Sequence, residues 1–261
     1  MLINTPFKLV FKAEAFKITC NKYLIFLVFF PAIMAVVVSL FIMYKYNFSL
    51  EYFSPLGTIN PWKNYLVKNV FGLYYILSPL IIAIFCHGCC DLEYKNNNLK
   101  ILYTLPVNKS QLICSKLTVI LLLILLSVLL SYFLLLLSGF ALNIFTPRLE
   151  FRNYDFRMVI FYLYLKMFLS LSAVGMVQLN LSLIFKNFIY PIGFAIVMVV
   201  FALITYNSSS SDFNPYVGPL KIYLETFTES TQLERMDYSN LIATLFFALS
   251  SIFVFIKFTR A

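Results

Sequence analysis

Charge is scarce in this sequence. Only 12% of its 261 residues are Asp, Glu, Lys or Arg, against about 25% in an ordinary soluble domain. A single histidine rules out the H-E-x-x-H zinc-protease motif. The seven glycines are scattered and no G-x-x-x-x-G-K-[ST] occurs, so the chain cannot cradle a nucleotide as a P-loop ATPase does. No G-x-S-x-G and no paired glutamates fall on a candidate span. The five cysteines are odd in number, and none lies in a segment expected outside, so no disulfide framework is indicated.

Apolar residues are what the chain has in excess. They make up 61% of it, with 29 Phe and 18 Tyr. A water-soluble globule of this size cannot hide that much apolar surface, so lipid must solvate much of it. Crossing about 30 Å of hydrocarbon takes about 20 helical residues. Six segments qualify, near 23–43, 67–90, 112–140, 157–185, 188–206 and 239–257, with the fourth and fifth joined by little more than "FKN" at 185–187. The run at 23–43 is too long for a signal-peptide core and lacks a small-x-small cleavage site, so it reads as a retained helix. The expected fold is an all-α polytopic membrane protein with six transmembrane helices, preceded by an amphipathic interfacial helix at 5–22.

The net charge of +9 therefore reports topology, not nucleic-acid binding. With both termini inside, the inner segments hold eleven of the twenty Lys and Arg and the outer segments eight. Eight of the eleven acidic residues then fall outside. In the first helix, Phe7, Val10, Phe11, Ala15 and Ile18 recur at three- and four-residue steps, with Lys8, Lys12 and Lys17 between them. Such a helix lies in the membrane interface with its lysines toward anionic headgroups. The segment 44–66, with Tyr44, Tyr46, Tyr52, Phe53, Trp62 and Tyr65, reads as an outer aromatic belt. In the extracellular loop 207–237, "PLKIYLETF" reads as a short helix on the outer membrane face.

Between the second and third spans, "DLEYKNNNLKILYTLPVNKSQLICSKL" (91–117) is patterned. Leu99, Leu102 and Tyr103 share a face, Pro106 stops that turn, and Asn108 with Gln111 resembles a capping box. Glu93, "YTLPVNKSQL" (103–112) and "SKL" (115–117) resemble the ABC-2 class of ABC transporter membrane subunits, which carry an acidic residue after the second span, a "tLP"-like turn and a lysine early in the third. Lys12, Glu14, Lys17 and Pro31 are similar to the opening of permeases in the lantibiotic-immunity branch.

The resemblance implies that 91–111 is a cytoplasmic coupling loop, with Glu93, Tyr94, Leu99, Leu102, Tyr103, Leu105 and Pro106 docking a separate ABC ATPase subunit. That partner would bind the ATP and Mg; this chain would hold no cofactor. Lys8, Phe11, Lys12, Glu14 and Lys17 would form the elbow helix. A second permease copy or a paralogue would complete the pathway in a bacterial cell membrane, exporting a hydrophobic or amphipathic substrate such as an antimicrobial peptide.

Within the fourth span, Lys166, Ser170, Ala173 and Asn180 cluster on one side, and Ser172, Gly175, Gln178 and Ser182 lie broadly opposite. A helix polar on both sides belongs in the centre of the bundle. Lys166 lies about 14 Å along it from Arg157 and calls for a partner, a cavity or snorkelling. Lys166, Ser170, Asn180 and Gln178 are the candidate pathway residues. Ser127, Ser131 and Ser138 on the third span read as helix packing. "CHGCC" (86–90) places Cys86, Cys89 and Cys90 on one helical face, which favours packing, with a zinc site that adds His87 or C-x-x-C redox chemistry as alternatives. A membrane thiol oxidoreductase using Cys86 and Cys89, or a peptide-sequestering immunity protein, are the competing functions.

Overall fold

The computed structural model describes residues 7–48, 61–65, 71–94, 108–145, 154–208, 211–226 and 232–258. No strand occurs among them. The helices are α1 (Phe7–Thr19), α2 (Lys22–Phe48), α3 (Pro61–Tyr65), α4 (Phe71–Tyr94), α5 (Lys109–Phe145), α6 (Arg157–Ile184), α7 (Ile189–Thr205), α8 (Gly218–Glu225) and α9 (Arg235–Phe258). In hydrocarbon each backbone polar group must be satisfied within its own segment, which long apolar runs achieve only as helix. Four helices are long and apolar enough to cross a membrane, through Tyr74–Asp91, Lys109–Phe145, Arg157–Ile184 and Arg235–Ile256; Lys22–Pro31 and Ile189–Thr205 are shorter apolar stretches. The protein is an all-α membrane protein.

Each expected span overlaps a helix, and the helix ends have local causes. α5 has 37 residues, about 55 Å of helix, far more than the hydrocarbon alone requires. It begins where Asn108 Oδ1 accepts from the Ser110 backbone N–H at 3.2 Å. Asn108 thus caps the helix as expected, while the Gln111 Oε1 has no hydrogen-bond partner among the described residues. Between α6 and α7 the chain leaves helix at Phe185, with φ −103° and ψ 116°. That fixes the boundary the sequence left least defined.

α6 is the axis of the bundle. It packs against α4, α5, α8 and α9, and its Lys166, Ser170, Ala173, Gln178 and Ser182 are fully buried. The Gly175 face packs tightly, since a Cβ there would stand 2.8 Å from the Ile124 side chain of α5. α7 covers one flank with a stripe of Pro191, Ala195, Val199 and Ala202, at helical spacing. On α9, Ile242, Leu245, Phe246, Leu249 and Phe253 are all at least 60% exposed, a face suited to lipid.

Two expectations are corrected here. Tyr44 is exposed, as a belt residue should be, but Trp62 and Tyr65 are buried; Tyr52, Phe53 and the Tyr46 side chain lie outside the described residues. Short α3 wedges inward. Trp62 lies against Gly139, where a Cβ would come within 2.2 Å of its ring. Tyr65 Oη lies 2.6 Å from both Ser39 and Ser138 hydroxyls. Ser138 thus serves helix packing, as its stripe suggested. The second correction concerns 219–227. A helix forms at Gly218–Glu225, but Gly218, Pro219, Leu220, Ile222 and Glu225 are buried. It is inserted against α4 and α6 instead of lying on a surface.

Candidate functional site

Where α4 ends, three helices meet around four charges. Glu93 sits two residues past the apolar window of α4 and faces the start of α5. Lys116 Nζ donates to Glu93 Oε1 at 2.8 Å, to the Cys89 carbonyl at 2.9 Å and to Glu14 Oε2 at 3.5 Å. Lys17 Nζ donates to Glu93 Oε1 at 3.2 Å and pairs with Glu14 one turn earlier on α1. Two ammonium groups thus face two carboxylates. Lys116, Glu93 and Glu14 are no more than 5% exposed. Burial by itself would raise the Glu93 pKa, but Lys116 and Lys17 outweigh it and hold the carboxyl below its ordinary range.

The next residue reaches a fourth helix. Tyr94 Oη donates to the Ser182 carbonyl at 2.7 Å and the Leu183 carbonyl at 3.1 Å, at the end of α6. The His87 ring lies 5.1 Å from that of Phe188 in the turn after α6.

A second cluster lies 16 residues back along α6, about 24 Å from Ser182. Buried Lys166 pairs with Glu225 at the end of α8 and stands 3.7 Å from Asp237 Oδ2 at the start of α9. A lysine so deep in an apolar bundle is tolerable only beside opposite charge, which Glu225 and Asp237 supply. Asp237 Oδ2 also accepts from the Glu234 N–H at 2.8 Å, tying the charge to the opening of α9. The Glu225 carboxyl is pushed up by burial, a rise that Lys166 reduces without cancelling.

Below Lys166, the segment 211–226 is fastened along α6. Ser170 Oγ donates to the Pro215 carbonyl at 3.3 Å, and Gln178 Nε2 donates to Tyr216 Oη. Gly218 presses on Ser170 so closely that a Cβ would stand 2.1 Å from its Oγ. Asn180 turns to α9 instead and donates to the Phe247 carbonyl at 2.9 Å. The four candidate pathway residues therefore touch other protein segments: Lys166, Ser170 and Gln178 the inserted segment, Asn180 the last helix.

The remaining site residues separate cleanly. Lys8 and Lys12 are exposed, and Phe11 is half-buried against the core. Lys17 departs from the expectation that it faces headgroups, because Glu14 and Glu93 hold it at the helix junction. Leu99, Leu102, Tyr103, Leu105 and Pro106 lie outside the described residues. Cys86, Cys89 and Cys90 are free and buried, and Cys86 Sγ donates to the Gly175 carbonyl at 3.2 Å. They pack α4 on α6.

A family model described as ABC-2 family transporter protein matches residues 10–202. The chain belongs to that family. No curated protein and no solved structure matches it. The match runs from within α1 to within α7, and so includes all four charges of the α1–α4–α5 cluster. It stops before the inserted segment. Sequence reasoning singled out Glu14, Lys17, Glu93 and Lys116 separately and did not join them. It missed Tyr216, Glu225 and Asp237 as structural partners. The one signal for the two acids was Lys166 itself, a buried charge that demanded an acid from elsewhere.

Proposed function

We propose that this chain is the membrane-spanning permease subunit of an ATP-driven exporter, with six spans and both termini in the cytoplasm of a bacterial cell. A separate ATPase subunit docks on the loop 91–111 and holds the ATP and Mg. A second copy or a paralogue completes the pathway, and the substrate is hydrophobic or amphipathic, with an antimicrobial peptide preferred. The observation that carries the reading is the four-charge cluster. It ties the elbow helix, the end of α4 and the start of α5 around the two ends of that loop. A passive turn needs no such clamp, whereas a loop that receives force from a partner needs rigid anchorage on both sides.

The test is purification with the neighbouring ATPase, followed by hydrolysis measurements. The permease should raise ATP hydrolysis, and Leu102→Asp or Tyr103→Asp should abolish both binding and stimulation while the permease still folds. Full binding and stimulation in both variants would reject the docking loop.

A further inference from the structure

The end of α4 distributes its contacts unevenly between two adjacent residues. Glu93 serves α1 and α5 through Lys17 and Lys116. Tyr94 alone of the pair reaches α6, and it takes two of the last carbonyls of that helix. Those carbonyls have no partner within the helix; the Leu181 carbonyl before them is already taken by the Phe185 N–H at 2.8 Å. A helix of 28 residues, close-packed on four neighbours, moves as a rod and does not compress. Its far portion carries Lys166, latched to Glu225 on α8 and near Asp237 on α9.

We propose that Tyr94 is the positioning residue that links the docking loop to α6. A displacement at the end of α4 is passed by the Tyr94 hydroxyl to the end of α6, and the rod carries it to the Lys166 cluster. Glu93 anchors α1 and α5 against the same pull. This rests on the reading of 91–111 as the ATPase-docking loop. A tyrosine that only capped α6 would affect stability without separating hydrolysis from movement.

Tyr94→Phe keeps the ring and removes only the hydroxyl, so it is the variant to use. A nitroxide is placed at Met158→Cys, an exposed site at the opposite end of α6, in a Cys20→Ser, Cys114→Ser background. The permease–ATPase complex is reconstituted in phospholipid nanodiscs, and its ATP-dependent spectral change and ATP hydrolysis are measured together. Tyr94→Phe should retain at least half of the hydrolysis rate and lose at least threefold of the spectral change. A full spectral change in Tyr94→Phe overturns the proposal. So does a parallel loss of hydrolysis and movement, which marks Tyr94 as a cap only. If the complex without the Tyr94 substitution shows no ATP response, the docking-loop reading fails first and this one falls with it.

Discussion

Lys116 and Lys166 are both fully buried lysines on apolar helices, and each survives because carboxylates reach it. Lys116 has its own chemical neighbourhood of two acids and a second lysine, so removing its charge leaves Glu93 and Glu14 with Lys17 alone. Breaking a buried pair from one side typically costs about 3–5 kcal/mol, because the stranded charge remains desolvated. Lys116→Met should therefore destabilise the permease by about that amount, read as a fall in the thermal midpoint in detergent. Lys116→Met combined with Glu93→Gln should recover much of the loss, since it also removes a stranded carboxylate. A double variant as unstable as the sum of its singles would show that the two groups do not act as a pair. Lys166 was legible in the sequence as a charge within a span, whereas Glu14, Lys17, Glu93 and Lys116 stood out only through a family resemblance. Their meeting was not legible, because Lys17 and Glu93 stand 76 positions apart and Lys116 and Glu14 stand 102 apart, distances over which helical periodicity says nothing.

At the scale of elements, the long helices were legible because lipid admits few alternatives to an apolar helix. The short ones were misplaced. α8 has only eight residues, too few for periodicity to tell a surface helix from an inserted one, and its polar surroundings argued for solvent. α3 was misjudged because Trp and Tyr suit a membrane interface and a packed wedge equally well. The two ends of the bundle should also answer acid in opposite ways. Glu93 has a lowered pKa, so the stability it contributes is present above the ordinary carboxylate range and is lost as pH falls through its folded value. Glu225 has a raised pKa, so its contribution is greatest below the ordinary range and is lost as pH rises through the raised value. Acidification from neutrality should thus loosen α1 and tighten the 211–226 segment. Hydrogen exchange by peptide, corrected for the intrinsic pH effect, should show protection falling in Phe7–Thr19 and rising in Gly218–Glu225. Parallel changes in both peptides would contradict the opposed shifts.

Among the described residues, the bundle exposes apolar faces suited to lipid and pairs its buried charges in two clusters. The expected orientation in the membrane rests on the Lys and Arg of the sequence. The segments assigned inside carry eleven Lys and Arg against eight outside, and Lys and Arg, not acids, decide which side a short loop takes. The balance is modest for the whole chain, but Lys8, Lys12, Lys17 and Lys22 all precede or open the first apolar run, where positive charge weighs most. If α1 and the end of α4 are cytoplasmic, Phe213 beside the inserted segment faces outward. Phe213 is 71% exposed and Cys20 is exposed at the junction of α1 and α2, so the two positions offer labels for opposite sides. In intact cells a membrane-impermeant maleimide should label Phe213→Cys in a Cys20→Ser background and should leave native Cys20 unlabelled until the membrane is opened. The reverse pattern would place residues 91–111 outside, where no cytoplasmic ATPase could reach them, and would remove the docking loop from the mechanism whatever its sequence resembles.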